Sequence, residues 1–156
     1  MNTITPFLWF NDQAEEAVDF YVSVFPESRV DRVLRYGPAG PGPDGSVMTV
    51  DFWLRGQQFV ALNGGPVYSF TPAVSFVVNC DTQEEIDTYW DALTAGGEPG
   101  PCGWVTDRYG LSWQVVPTVL TGLLARGDEG SMRVTKAMLQ MGKLVIDELE
   151  RAYAGA

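Results

Sequence analysis

The sequence predicts an α+β fold: two βαβββ modules in tandem, forming a curled mixed sheet, with a C-terminal helical extension. Three observations carry this. The helix starts Asp12-Gln13-Ala14-Glu15-Glu16 and Asp81-Thr82-Gln83-Glu84-Glu85 stand 69 residues apart, and the aromatic pairs Phe20-Tyr21 and Tyr89-Trp90 repeat at the same offset. Each helical segment is flanked by short runs of β-favouring residues. Beyond Pro117 the apolar spacing becomes helical to the end of the chain. At 156 residues the chain is long enough for one packed domain and one core.

The elements follow in order. Ile4 to Phe10 is an apolar run that reads as a strand, ending at Asn11-Asp12. From Ala14 the apolar positions Ala17, Val18, Tyr21, Val24 and Phe25 have helical spacing, Glu15 and Glu16 suit the electropositive first turn, and Pro26 stops the segment, so a helix is expected over Asp12 to Phe25. Arg29 to Tyr36, Ser46 to Leu54 and Gln58 to Asn63 read as strands, separated by the Gly/Pro stretch Gly37 to Gly45 and the turn Arg55-Gly56-Gln57. The second module opens with the strand Ala73 to Asn79. Its helix carries Thr82 and Glu85 at capping-box spacing, buries Ile86, Tyr89, Trp90 and Leu93, and ends at Gly96-Gly97. Glu98 to Val105 and Leu111 to Val116 supply further strands. The modules thus span about residues 4–65 and 73–117 of a domain covering 1–127. A short helix over Thr118 to Ala125 precedes the extension, 128–156, where one longer helix from Ser131 to Tyr153 is expected to pack on the domain or on a partner chain.

Composition removes several function classes. Ten Lys+Arg against 20 Asp+Glu give a net charge of −10, which argues against a nucleic-acid partner, because phosphate binding needs clustered cations. The absence of histidine removes imidazole ligands, imidazole bases and Ser-His or Cys-His nucleophiles. Cys80 and Cys102 are too few for a disulfide scaffold and are expected as reduced thiols in a cytoplasmic protein. No run approaches the ~18 apolar residues of a membrane span, and Met1 to Pro6 lacks a signal pattern.

Candidate functional residues come from strand alternation. In Ser46 to Leu54, Asp51 shares a face with Trp53; a carboxylate facing an apolar hollow can act as a general base, while pairing with Arg32 or Arg35 is the structural alternative. Trp9, Trp53, Trp104 and Trp113 offer flat stacking surface and one donor each, against ordinary core packing. With Asn63 and Gln114 they outline an uncharged pocket. Asp107-Arg108 reads as a turn-stabilising pair, and Gly37 to Gly45 as a mobile loop, since its prolines leave few donors for a phosphate.

The chain also resembles the PhnB-like branch of the glyoxalase/bleomycin resistance/dioxygenase (vicinal oxygen chelate) superfamily, whose members are often labelled demethylubiquinone methyltransferase domains. The likeness lies in Leu8-Trp9-Phe10 with Ala14-Glu15-Glu16-Ala17, Ala61 to Pro66, Phe70-Thr71-Pro72-Ala73 with Ser75-Phe76, and above all Cys102-Gly103-Trp104 through Gly110 to Pro117. It implies modules curled into a cup, usually in a homodimer, with a small molecule in the concavity. Metal-dependent relatives hold a divalent ion there with His and Glu. The corresponding positions fall near Thr5, Ala61, Ser75 and Gln114, none of them a histidine or carboxylate, so no metal and no cofactor are expected. A methyltransferase role is disfavoured, because no glycine-rich strand-to-helix turn of the nucleotide-binding kind is present. The resulting expectation is a small-molecule-binding protein of unknown substrate. The alternatives are a lyase, isomerase or dioxygenase using the Asp51 carboxylate, and a drug-sequestering binder. The expected ligand contacts are Trp9, Trp53, Asn63, Ser75, Trp104, Trp113 and Gln114.

Overall fold

The structure is a computed structural model and describes residues 3–156. The chain divides into two compact units, one ending at Phe70 and one beginning at Thr71.

In the first unit the order is β1 (Phe7–Phe10), α1 (Ala14–Val24), β2 (Arg29–Arg35), β3 (Val47–Leu54) and β4 (Gln57–Asn63). The sheet runs β1-β4-β3-β2, with β1 parallel to β4 and the other pairs antiparallel. Alternation decides which side is buried. Leu8, Phe10, Val50, Phe52, Leu54, Phe59 and Ala61 pack with Ala14, Ala17, Val18 and Tyr21 of α1. The Tyr21 and Phe52 rings stack at 6.5 Å and the Phe52 and Phe59 rings at 5.3 Å.

The second unit repeats the order: β5 (Phe76–Cys80), α2 (Gln83–Thr94), β6 (Glu98–Pro99), β7 (Trp104–Thr106) and β8 (Ser112–Pro117), in a sheet ordered β5-β8-β7-β6. Its single parallel pair, β5 with β8, occupies the place of β1 with β4. This shared topology supports the duplication read from the helix starts. The capping box is present: Thr82 Oγ1 accepts from Glu85 N at 3.2 Å, and the Glu85 carboxylate accepts from the backbone of Asp81 and Thr82. α1 has no cap of its own. Instead Asn63, 49 residues away, accepts from Ala14 N through Oδ1 at 2.8 Å.

Two expectations are corrected. Glu98 to Val105 is two short strands, because Pro101 to Trp104 is a tight turn in which Cys102 (φ 57) and Gly103 (φ 82) are left-handed and Trp104 N donates to Pro101 O at 3.0 Å. The single helix over Ser131 to Tyr153 is two, α4 (Glu129–Met138) and α5 (Ile146–Ala154), following α3 (Thr118–Ala125). Continuation through residues 139–145 would place Gly142 inside a helix and cost about 1 kcal/mol relative to alanine. The carbonyls of Met141 and Gly142 instead accept from Cys102 N and Gly103 N, each at 2.8 Å. The three helices enclose a small core of Leu120, Leu123, Val134, Leu144 and Leu149, with Val116 and Met138 packed against it.

Among the described residues no helix is long and apolar enough to cross a membrane. Cys80 and Cys102 are not joined in a disulfide.

Candidate functional site

Each sheet has one face covered by its helix and one open face. In the first unit the open positions are Phe7 and Trp9 on β1, Val60 and Leu62 on β4, Thr49, Asp51 and Trp53 on β3, and Arg32 on β2. Asp51 is nearly buried and sits opposite Arg32, whose Nε and Nη2 both donate to Asp51 Oδ2, the former at 3.0 Å. The carboxylate is therefore engaged in an ion pair. Trp9 is fixed from two sides: its indole N–H donates to Gly65 O at 2.9 Å, and its ring lies where a Cβ on Gly64 would stand, at 2.3 Å. Trp53 lies at the outer end of β3, donating to Asp31 and lying 4.9 Å beneath the Arg29 guanidinium.

Asn63 is on neither open face. Besides capping α1 it donates to Val47 O through Nδ2 at 3.2 Å, so its amide closes the top of the first sheet. Nearby, the Gly/Pro loop folds around the Tyr36 ring, whose hydroxyl donates to Asn63 O at 2.6 Å. A cavity of about 460 Å³ lies between this loop and the start of α1, with Asp12 and Glu15 on its wall.

In the second unit Trp113 faces the buried side. It is 3% exposed, packs on Phe76 at 5.8 Å and donates its indole N–H to Asp107 Oδ2 at 2.8 Å. The other Asp107 carboxylate oxygen accepts from Tyr109 N and Leu111 N, so this residue organises the β7–β8 turn. The open face carries Gln114 and Ser112 on β8 and Trp104 and Thr106 on β7, with Trp104 directly opposite Gln114. Gln114 Nε2 donates to Ser75 Oγ at 2.9 Å. Beside them lies a cavity of about 340 Å³, lined by Pro72, Gly100, Pro101, Trp104, Val105, Thr106 and Ser112.

The structure thus brings together Ser75, Trp104 and Gln114 on one face, and Trp9, Asp51 and Trp53 on another. It turns Trp113 and Asn63 to structural tasks. Thr106, Ser112 and the prolines were missed, although the alternation Ser112-Trp113-Gln114 already places Ser112 with Gln114 and opposite to Trp113.

The four positions to which the resemblance assigns metal ligands do not fit a metal ion. Ala61 is fully buried on the α1 side; the register that pairs Val77 with Gln114 in the second sheet pairs Phe7 with Val60 in the first, so Val60 is the open-face counterpart and the expected position is one residue off. Valine supplies no donor. Ser75 and Gln114 are neutral and bonded to each other, and Thr5 is neutral. Neutral oxygens without a carboxylate hold divalent ions weakly. Among the described residues no group of three or more His, Cys, Asp or Glu side chains is placed to hold one either.

Paired βαβββ units with one open sheet face each define a class of small α+β proteins. The family model for 3-demethylubiquinone-9 3-methyltransferase matches residues 2–116. A Bacillus cereus protein described as a putative 3-demethylubiquinone-9 3-methyltransferase, PhnB protein, is 38% identical, with a TM-score of 0.68 over 75% of this chain and 100% of that one. The chain belongs to this PhnB-like family. The fold extends further: protein PA1353 from Pseudomonas aeruginosa is 22% identical (TM-score 0.63, 75% and 98% covered). The fosfomycin resistance protein FosX from Listeria monocytogenes, solved with Mn(II) and sulfate, is 14% identical (TM-score 0.57, 81% and 98% covered). No curated protein matches the chain.

Proposed function

We propose that this protein binds a small, neutral, planar molecule in the cavity of its second unit, without a catalytic metal ion. The observation that carries this is the lining: one indole, two prolines, a valine, a glycine and two hydroxyls, with no ionisable side chain among them. A volume of about 340 Å³ lies at the small end of the range for small-molecule sites, roughly 300–1,000 Å³. Trp104 supplies a stacking surface, and Thr106 supplies a hydroxyl that orients a polar group, with the buried Ser112 behind it. The net charge of −10 disfavours anions.

A base-catalysed reaction at Asp51 has less support, because its carboxylate is committed to Arg32. Methyl transfer has none in the turns that precede α1 and α2: Asn11-Asp12-Gln13 and Asp81-Thr82 contain no glycine and are acidic. We also propose a homodimer, supported by β2, an edge strand that exposes Val30, Val33 and Leu34.

The test uses indole as the neutral probe and indole-3-acetate as its anionic counterpart, titrated calorimetrically. Indole is expected to bind about tenfold more tightly than the acetate, and Trp104→Ala to lose about tenfold in indole affinity, the scale of one aromatic contact. Equal binding of both probes, or an unchanged Trp104→Ala variant, contradicts the assignment.

A further inference from the structure

The family match ends at residue 116, yet the rim of the cavity is held by a segment beyond it. The turn Pro101 to Trp104 places Trp104 and carries two consecutive left-handed residues. At Cys102 this conformation costs about 1–2 kcal/mol. Both of its central amides are taken by the connector between α4 and α5: Cys102 N donates to Met141 O and Gly103 N to Gly142 O. The Cys102 thiol also lies 3.5 Å from Met138 O. Behind the turn, the fully buried Leu144 side chain closes to 3.1 Å of the point a Gly103 Cβ would occupy.

The connector is anchored in turn on α2. Gln83 is bonded at both ends of its amide, Nε2 donating to Leu144 O at 3.1 Å and Oε1 accepting from Ile146 N at 2.9 Å, so it also caps α5. Lys143 pairs with Asp87 at 2.8 Å, and Gln83 Nε2 reaches the same carboxylate oxygen at 3.2 Å. The connector is therefore tied to the turn by backbone bonds and to α2 by side-chain bonds.

We infer that residues 139–145 act as a clamp that fixes the Trp104 turn, with Gln83 and Lys143 as its positioning residues. The C-terminal extension thereby sets the shape of the binding cavity. This rests on the ligand reading above only for its effect on affinity; the mechanical claim stands on the turn alone.

Cys102 reports on the turn, since it is partly exposed whereas Cys80 is fully buried. Its rate of modification by an aromatic disulfide reagent is measured in the full-length protein, in Gln83→Ala, Lys143→Met and the double variant, with Cys102→Ser assigning the signal. Asn63→Ala, which weakens the first unit, serves as a control for general destabilisation. The double variant is expected to react about tenfold faster, with the single variants in between and the control unchanged. Incorporated 5-fluorotryptophan should show a shifted or broadened Trp104 resonance in the double variant while that of Trp113 stays in place. An unchanged thiol rate, or an equal rise in the control, overturns the clamp whether or not indole binds. Failure of the wild type to bind indole while the thiol rate responds overturns the ligand reading and leaves the clamp supported.

Discussion

Replacing Asn63 with alanine separates a structural role from a ligand contact. The substitution removes two hydrogen bonds, one accepted from Ala14 N at 2.8 Å and one donated to Val47 O at 3.2 Å. Ala14 is fully buried and α1 has no other side-chain cap, so its amide cannot turn to water. At about 1 kcal/mol for each bond, the expected loss is roughly 2 kcal/mol. For a chain of 156 residues that corresponds to a fall in Tm of about 4–8 °C, read by calorimetry. Asn63→Asp keeps an acceptor at the electropositive helix start and should recover part of the loss. Indole affinity should be unchanged in both variants. A Tm within about 1 °C of wild type would refute the capping argument, and lost indole binding at an unchanged Tm would restore Asn63 as a ligand contact.

Three other substitutions test the packing around the cavity. Gly103→Ala forces a side chain into a left-handed residue and sets its Cβ 2.6 Å from Val115 O, so a loss of at least about 1–2 kcal/mol is expected in urea unfolding. Leu144→Ala empties a fully buried site and should cost about 2–5 kcal/mol by the same measurement. The hydrogen bond from Lys143, aided by that from Gln83, holds the Asp87 carboxyl below its ordinary value of 3.8. A group with a depressed folded pKa contributes stability above its unfolded value and loses it as pH falls through the folded one. Asp87→Asn should therefore lower the Tm at neutral pH and flatten its decline below about pH 4, and an acid profile parallel to wild type would contradict the pairing.

Much of the fold was legible because it depends on patterns that local chemistry enforces. The repeated helix starts, the period-two strands and the capping box at Thr82 all reappear in the structure, and Thr118–Ala125 has the expected bounds. What escaped notice depends on partners distant in sequence. The apolar stripe from Val134 to Leu149 reads as one helix until the amides of Cys102 and Gly103 claim the Met141 and Gly142 carbonyls. Asn63 looks like a pocket amide until Ala14 and Val47 take both of its ends. Trp113 looks like a ligand contact until the Asp107 carboxylate, by accepting its indole N–H, accommodates it on the buried side. Asp51 shows the opposite case: its pairing with Arg32 was foreseeable as an alternative, and the register of β2 against β3 supplies it.

The central claim is that the uncharged hollow beside Trp104 is where a ligand sits. Amide chemical-shift mapping of the isotopically labelled protein during an indole titration tests it most directly. The account predicts saturable shifts confined to Gly100 to Thr106 and Ser112 to Gln114, with β3 around Asp51 undisturbed. Shifts centred on Asp51 and Arg32, or no saturable shift in the second unit, would contradict it.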